Sequence, residues 1–400
     1  MKIVVLINQN LNRTNFERFN LKSNKYSQLK RIYWSILPLY NKDLFTEYEK
    51  NEYRPKKNKN FINLKSYFEV FKNLKKINKN TYFLNQSGDN FQSLLIELVM
   101  RLKGCKILKK IDYYNCTTNQ EKFSKRLSRL YVFGLLFTLK KIFKSFFSFA
   151  KIFFVNVFSL KPDYYIIENQ ERTEELRRKK INKFIKVNSS NFSAFYKMRS
   201  KKKSKNYFVF LDSEIENSFE SKILGIRHNI LNQTKYWKCL DKIFDELSKK
   251  FGINVKIAAH FRRSNNSSPI KKKFYFDQTL NLIKNSKFVV AHNTSAIDWA
   301  VLFKKPILIL NFELFDSIAL VNRDSIKFFC DKLSLESINV DLNYNFKLRK
   351  NMSSLLKINT KKYQKFSKFQ LNYKTNQFPH LNQWEILYKF FKPKKNVEKK

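Results

Sequence analysis

KFVVAHNTSAIDWAVLFKKPILIL, residues 287–310, predicts a strand, a polar turn, a short helix and a second strand. Residues 288–291 form a short apolar run rich in β-branched side chains, which is typical of a buried parallel strand. Pro306 separates a predicted helix of about three turns from the next strand, residues 307–310. The first strand ends in four polar residues, His292, Asn293, Thr294 and Ser295. The segment therefore predicts an α/β repeat with a polar turn at a strand end.

The polar turn is a candidate anion site. Thr294 or Ser295 can cap the helix that follows, which would leave backbone N–H groups and the positive end of the helix dipole facing the crevice beyond the strand. A phosphate or diphosphate fits such a position, and ligands in open α/β sheets bind at the carboxyl ends of strands. The alternative is that the turn serves only as a helix cap.

A second strand end strengthens this interpretation. Residues 255–259, in NVKIAAHFRR, predict another buried strand, and His260, Phe261, Arg262 and Arg263 follow it directly. Arginine binds phosphate in a bidentate manner, and imidazole can donate to the same oxygens or move a proton. Adjacent strands would bring both polar groups to one edge of a sheet. For each histidine alone, a satisfied core or surface position is the alternative.

These motifs, taken in order over about residues 206–312, resemble the C-terminal domain of bacterial surface-carbohydrate biosynthesis proteins of the glycosyltransferase B type, including capsular and sialyltransferase-like enzymes. The resemblance implies an α/β fold of two Rossmann-like domains facing a cleft. It also implies that His260, Thr294 and Ser295 bind the nucleotide of a sugar donor. Phe261 departs from the family, in which a proline follows the histidine.

The amino-acid composition gives the chain a strong positive charge. The formal net charge is +48, with lysine far more abundant than arginine and with only 5 glycines and 7 prolines. Asn, Ile, Phe and Tyr are also abundant, and this residue set is encoded by A/T-rich codons. The sequence has no helix-turn-helix, zinc-finger or RNA-recognition signature, so we do not expect a nucleic-acid partner. A cationic surface would still be attracted to anionic lipid.

Domain organisation follows from the alternation of strands and helices. We expect an N-terminal Rossmann-like, acceptor-side domain at residues 1–196, a basic linker at 197–206 and a C-terminal nucleotide-sugar-binding domain at 207–391. Residues 392–400 form a basic tail. The four cysteines show no C-x-x-C spacing, which indicates neither a disulfide framework nor a zinc site. The short apolar run of MKIVVLINQN indicates a strand rather than a signal peptide.

Residues 130–160 predict an amphipathic helix. Lysines interrupt the apolar run, so it falls short of the roughly 20 apolar residues that a membrane span requires. The predicted membrane contacts are Lys140, Lys141, Lys144 and Lys151. Such a helix can lie in the headgroup layer of an anionic membrane, or it can pack on the N-terminal sheet as part of the core.

The sequence offers only two candidates for the catalytic base. Related sialyltransferase-like enzymes carry an acidic pair followed by glycine, and this chain has none. Asp89, in NQSGDN, and Asp212, at the end of the strand YFVFL, are the catalytic candidates, although turn carboxylates are commonly solvated. The chain also lacks an Asp-x-Asp pair, so we expect no metal and no cofactor apart from the nucleotide-sugar substrate.

The sequence thus predicts a cytoplasmic enzyme, peripheral at the inner face of the membrane, that moves a sugar from a nucleotide-sugar donor to a glycan or lipid-linked acceptor of a surface polysaccharide. The predicted donor-binding residues are His260, Arg262, Arg263, His292, Asn293, Thr294 and Ser295. Two alternatives remain: transfer of glycerol phosphate from a CDP-activated donor, and a non-catalytic membrane-surface assembly protein of the same fold.

Overall fold

The computed structural model describes segments in both the N-terminal and the C-terminal half of the chain. The described residues are 1–8, 29–43, 45–46, 58–87, 91–111, 161–198, 205–215, 233–260, 263, 269–312, 320–340, 352–371 and 378–392.

The first sheet is a parallel sheet of seven strands in the order β3-β2-β1-β4-β5-β6-β7. Every neighbouring pair in it is parallel. Strand β1, an inner strand of this sheet, has five consecutive buried residues because helices cover both faces of a sheet of this kind. The strands are Lys2–Ile7 (β1), Lys30–Ser35 (β2), Phe61–Asn63 (β3), Thr81–Asn85 (β4), Lys106–Ile111 (β5), Tyr164–Ile167 (β6) and Phe184–Lys186 (β7).

The second sheet has six parallel strands in the order β10-β9-β8-β11-β12-β13. In sequence order this is the same winding as the first six strands of the first sheet. The predicted α/β class, with two Rossmann-like sheets, is confirmed. The strands are Tyr207–Leu211 (β8), Asn254–Ala258 (β9), Phe274–Tyr275 (β10), Val289–Ala291 (β11), Ile307–Phe312 (β12) and Ser337–Val340 (β13).

Helices connect most of these strands within the described residues. In chain order they are Leu37–Tyr40 (α1), Tyr67–Lys75 (α2), Phe91–Leu102 (α3), Gln170–Arg178 (α4), Ser190–Met198 (α5), Gln233–Phe251 (α6), Thr279–Asn285 (α7), Ile297–Leu302 (α8), Leu320–Leu333 (α9), Met352–Leu355 (α10), Thr360–Leu371 (α11) and Gln383–Phe391 (α12).

The chain divides into two compact units, one around each sheet. Unit 1 comprises Met1–Ile167, Arg172–Lys186 and Leu387–Lys400, and unit 2 comprises Glu168–Glu171 and Val187–Ile386. The predicted boundary at 197–206 therefore lies inside unit 2. The reason is that α5 packs within unit 2: its Phe195 contacts Phe303, with ring centroids 4.9 Å apart.

The end of α12 belongs to unit 1. There the ring of Phe391 lies 4.1 Å from that of Tyr82 on β4 and 5.5 Å from that of Tyr164 on β6, measured between centroids. These aromatic contacts anchor the last described helix to the first sheet. Most of the basic tail predicted for residues 392–400 lies outside the described residues.

Helix α6 forms the main helical cover of the second sheet. Its apolar stripe follows the 3.6-residue spacing of a helix and is buried; it consists of Trp237, Leu240, Ile243, Phe244 and Leu247. Phe244 packs against Phe208 and Phe210 of β8, with centroids 6.3 and 5.0 Å apart. Aromatic burial of this kind is a large part of the apolar surface that stabilises the unit.

Among the described residues, no helix combines the length and the apolar character needed to cross a bilayer. The amphipathic helix predicted at 130–160, with its contacts Lys140, Lys141, Lys144 and Lys151, lies outside the described residues. Cys105, Cys239 and Cys330 form no disulfide among the described residues, and Cys116 lies outside them.

The Phe244→Ala substitution tests the assignment of the core of unit 2. Truncating a fully buried phenylalanine removes apolar contacts and leaves a cavity, so the free energy of unfolding should fall by about 3–5 kcal/mol. Chemical denaturation measures the change. Phe68→Ala, at an exposed position of unit 1, is the matched control and should cost less than about 1 kcal/mol. Equal losses in the two variants would contradict the packing described here.

Candidate functional site

The candidate site lies at the carboxyl edge of the second sheet. Strand β8 is flanked by β9 on one side and by β11 on the other, so the strand order reverses at β8. Such a reversal is the topological switch point at which open α/β sheets bind ligands. Three strand ends meet there, and the Ser213 hydroxyl after β8 donates to the Asn293 carbonyl after β11 over 3.1 Å.

Asp212, directly after β8, organises this edge. Its Oδ2 accepts from Nε of Arg263 at 2.6 Å and from the His260 backbone N–H at 3.0 Å. Its Oδ1 accepts from the second guanidinium nitrogen of Arg263 at 3.0 Å and from the Glu214 backbone N–H at 2.9 Å. One buried carboxylate therefore ties the turn after β8 to the segment after β9.

This arrangement favours a positioning role for Asp212 over the predicted catalytic role. Burial by itself would raise the pKa of Asp212, but the hydrogen bonds and charge of Arg263, together with His260, hold that pKa below its ordinary value. The carboxylate stays ionised, and both of its oxygens accept from donors in the protein. Asp212 is also not the solvated turn carboxylate that its position in the sequence favours, because it is buried. Its role is to position its neighbours.

Arg263 is a structural partner of Asp212. Its side chain is buried, and its guanidinium carbon lies 5.0 Å from the ring centroid of Trp237 and 5.3 Å from that of Phe274. The planar guanidinium makes a bidentate ion pair with Asp212 between these two aromatic rings. This geometry favours a positioning role, and direct binding of the donor by Arg263 stays a prediction.

His260, in contrast, lies partly exposed at the edge of the sheet. Its Nδ1 lies 3.1 Å from Oε2 of Glu214. A carboxylate oxygen accepts hydrogen bonds, so this contact places a proton on Nδ1 and orients the ring. Glu214 has a positive φ of 47°, a strained conformation that its hydrogen bond to Asp212 stabilises. Sequence reasoning missed Glu214; its place two residues after Asp212 was the available signal.

His292 lies in the core of unit 2. The ring is fully buried among Phe210, Phe312 and Tyr236. Its Nδ1 lies 2.8 Å from the Leu310 carbonyl oxygen, and its Nε2 lies 2.9 Å from the Tyr236 hydroxyl. Burial lowers the pKa of His292 to about 4, so the ring is neutral at pH 7. Both ring nitrogens thus have partners within the core, which favours the alternative of a satisfied core histidine, and the donor contact of His292 stays a prediction.

The turn after β11 differs from the predicted helix cap. Helix α8 has only six residues, its N-cap is Ala296, and no side chain caps it. Oγ1 of Thr294 accepts the N–H of Ala296 at 3.3 Å, one residue before the helix. The N–H groups of Ile297 and Asp298 donate to the carbonyls of Thr294 and Ser295, each over 3.2 Å. The first N–H groups of α8 are therefore used within the turn.

Asn191, on α5, fixes this turn from outside. Its side-chain amide donates to the Ser295 carbonyl over 3.0 Å and to the Asp298 carboxylate over 2.9 Å. Its own carbonyl accepts from Nε1 of Trp299 at 2.9 Å. Asn191 was not among the sequence candidates, because its contacts join positions more than one hundred residues apart.

The donors that remain at this turn belong to residues before the helix. Within the part of the chain that the structure describes, no hydrogen bond uses the backbone N–H of Thr294, the backbone N–H of Ser295 or the Ser295 hydroxyl as a donor. Ser295 is exposed, and Asn293 and Thr294 are half-buried. An anion at the switch point would thus meet the turn itself rather than the first turn of α8.

Several predicted residues lie outside the described residues: Asp89, Phe261 and Arg262. Among the residues that are described, no group of three or more His, Cys, Asp or Glu side chains has an arrangement that could hold a metal ion.

No known protein-family profile matches the chain, and no curated protein does so either. Solved structures with a similar fold include the wall teichoic acid polymerase TagF, with 10% identity, 92% of this chain and 84% of that chain covered, and a TM-score of 0.48. The calicheamicin glycosyltransferase CalG4 has 8% identity, coverage of 93% and 94%, and a TM-score of 0.47. MnaA from S. aureus, solved with UDP, has 11% identity, coverage of 97% and 95%, and a TM-score of 0.45. Similarity at this level concerns the fold and assigns no reaction.

The Asp212→Asn substitution tests the role of Asp212 as the organising group. It leaves the buried guanidinium of Arg263 without its counter-charge, so the free energy of unfolding should fall by about 3–5 kcal/mol. The double variant Asp212→Leu/Arg263→Leu removes both charges and should cost clearly less than the sum of the two single leucine variants. Additive losses in denaturant titrations would show that the two side chains do not interact.

The buried His292 makes stability depend on pH. Its folded-state pKa lies below the unfolded value of 6.5, so the unfolded chain binds a proton first as the pH falls. The stabilisation is complete above pH 6.5 and is lost progressively towards pH 4, up to about 3 kcal/mol. His292→Gln should flatten the slope of unfolding free energy between these pH values. An unchanged slope would contradict the buried neutral ring.

Proposed function

We propose that the chain is a glycosyltransferase that takes a sugar from a nucleotide-sugar donor bound at the switch point of unit 2. The observation that carries the proposal is the convergence of His260, held by Glu214, with the donor-rich turn at Thr294 and Ser295 on the two sides of β8. Oriented N–H, O–H and imidazole groups at this place are suited to a diphosphate that gains charge as the sugar leaves.

The roles of the residues follow from their chemistry. Thr294 and Ser295 bind phosphate oxygens through the turn. His260, in its imidazolium form with Nδ1–H on Glu214, gives its Nε2–H to the leaving diphosphate as a hydrogen bond or as a proton. Glu214, Asp212 and Arg263 position His260, and Asn191 positions the turn. Arg262 and Asn293 remain proposed donor ligands from the sequence. Asp89 remains the proposed base that deprotonates the acceptor hydroxyl.

The finer proposal concerns the acceptor and the place of action. We propose a growing surface polysaccharide or a lipid-linked glycan as the acceptor, bound on the side of unit 1, with the enzyme cytoplasmic and peripheral at the inner face of the membrane. The support is the resemblance of residues 206–312 and the net charge of +48, which favours an anionic surface.

A thermal-shift screen against CMP, CDP, UDP, GDP and their sugars tests the donor site. A ligand that binds only the folded protein raises its midpoint, by roughly 5 °C at a ligand concentration of 100 times Kd. His260→Ala and Ser295→Ala should each weaken binding about 10- to 100-fold, because each removes a hydrogen bond to a charged group. The matched control is His380→Ala, an exposed histidine of unit 2 outside the candidate site.

The outcomes separate the alternatives. A shift with one nucleotide and its sugar, lost in the two site variants and kept in the control, supports the proposal and identifies the donor class. A shift with CDP-glycerol and with none of the sugar donors favours transfer of glycerol phosphate. Binding without transfer to any acceptor favours a non-catalytic protein. No shift in folded protein contradicts the donor site.

We also propose that the transfer needs no metal ion. The sequence has no Asp-x-Asp pair, and cationic and N–H donor groups stabilise the leaving diphosphate instead. Transfer should therefore proceed at an unchanged rate in excess chelator. A rate abolished by chelator and restored by manganese would overturn this part of the proposal.

A further inference from the structure

Helix α2 of unit 1 exposes aromatic side chains to solvent. Tyr67 is 46% exposed, Phe68 77% and Phe71 57%, and these are among the few large apolar side chains with high exposure in the described residues. Isolated exposed apolar residues are common, but three aromatic rings within five residues of one short helix form a cluster. Clusters of this kind mark interaction sites.

The helix geometry places these rings on one continuous surface. Successive residues of an α-helix are about 100° apart, so Tyr67, Phe71, Lys75, Phe68 and Lys72 follow one another around an arc of about 140°. The opposite side packs into unit 1 through the buried Val70 and Leu74. We call these five outward residues the α2 surface; it combines three aromatic rings with two lysines.

Residues outside the α2 surface hold helix α2 in place. Ser66 caps the helix by accepting the Glu69 N–H at 3.2 Å, and the Glu69 carboxylate accepts the Lys65 N–H at 2.6 Å. The aromatic rings have no role in this cap, and the buried side holds the helix on the sheet. Changes at Phe68 and Phe71 should therefore leave the fold intact.

Charge distinguishes the class of partner. Residues 58–80 contain six lysines, at 59, 65, 72, 75, 76 and 79, and a single acidic residue, Glu69, whose carboxylate is engaged by the helix cap. A cationic surface with protruding aromatic rings complements an anionic bilayer: the rings enter the interfacial layer, and the lysines contact lipid headgroups.

We propose that the α2 surface docks unit 1 on an anionic lipid bilayer. Phe68 and Phe71 insert among the headgroups, Tyr67 lies at the same level, and Lys72 and Lys75 pair with lipid phosphates. This deepens the membrane location proposed above by naming the surface that makes the contact. It does not depend on the donor site, since docking requires no donor and no transfer. It also locates a membrane contact apart from the helix predicted at residues 130–160.

Vesicle sedimentation of the full chain tests the proposal. The wild type should bind vesicles of phosphatidylcholine mixed with phosphatidylglycerol more tightly than vesicles of phosphatidylcholine alone. Phe68→Ser/Phe71→Ser should weaken binding to the mixed vesicles at least tenfold, because burying the rings drives insertion. Lys72→Glu/Lys75→Glu should weaken it more than tenfold, since each lysine near an anionic surface contributes about fivefold.

Matched controls separate a specific surface from general attraction by the net charge. Leu102→Ser removes another exposed apolar side chain of unit 1, and Lys238→Glu/Lys249→Glu makes the same charge change on α6 of unit 2. Both should bind like the wild type to within about threefold. A Phe68→Trp reporter should shift its fluorescence to the blue with mixed vesicles, while an exposed Lys238→Trp should not.

Two results would overturn the proposal. The first is Phe68→Ser/Phe71→Ser binding mixed vesicles as tightly as the wild type, or a Phe68→Trp emission that vesicles leave unchanged. The second is an oligomer in sedimentation velocity that Phe68→Ser/Phe71→Ser dissociates, with vesicle binding unaffected, which would assign the α2 surface to a second copy of the chain.

Discussion

The candidate site depends on the buried ion pair between Asp212 and Arg263. The carboxylate accepts four hydrogen bonds, two from the guanidinium and two from backbone N–H groups, so it fixes the ends of β8 and β9 relative to each other. A buried charge pair of this kind contributes little net stability compared with apolar packing. What it provides is geometry, because each oxygen accepts from two donors and the donors come from both turns.

From this pair the positions of the exposed groups follow. The His260 backbone is held by Asp212, and its ring by Glu214, whose strained backbone is held by Asp212 in turn. On the other side of β8, the Ser213 hydroxyl reaches the turn after β11, which Asn191 fixes from α5. The strand-order reversal at β8 brings the two sides together. The groups proposed to contact the donor are thus held by a rigid set of buried polar side chains.

The sequence was sufficient to predict the central strands and the main helix. Runs such as YFVFL and FVVA are apolar throughout because both faces of a central parallel strand are covered, and β8 coincides with the predicted strand YFVFL. Strands β2, β3, β7, β10 and β13 were not predicted. For β3, β7 and β10 the reason is that a strand of two or three residues has no periodicity to read. Helix α8 is shorter than predicted. The local sequence does not show that its first N–H groups donate to carbonyls of the preceding turn.

The residue roles at the site were harder to predict, for physical reasons. His260 and His292 follow similar strands, yet one lies at the edge and the other is enclosed by Phe210, Phe312 and Tyr236, side chains that come from three separate elements. Arg263 looked like a phosphate ligand because its type and position fit one, but its partner Asp212 lies 51 residues earlier. Such long-range pairs decide whether a polar residue serves the fold or a ligand.

Hydrogen–deuterium exchange with and without the nucleotide sugar that gives the largest thermal shift tests the central claim most directly. Amide exchange reports which backbone groups a ligand covers. The account predicts protection of peptides that contain Thr294 and Ser295 and of those that contain His260, on opposite sides of β8, and no change at His380. Protection elsewhere in the chain, with these two segments unchanged, would contradict a donor site at the switch point of unit 2.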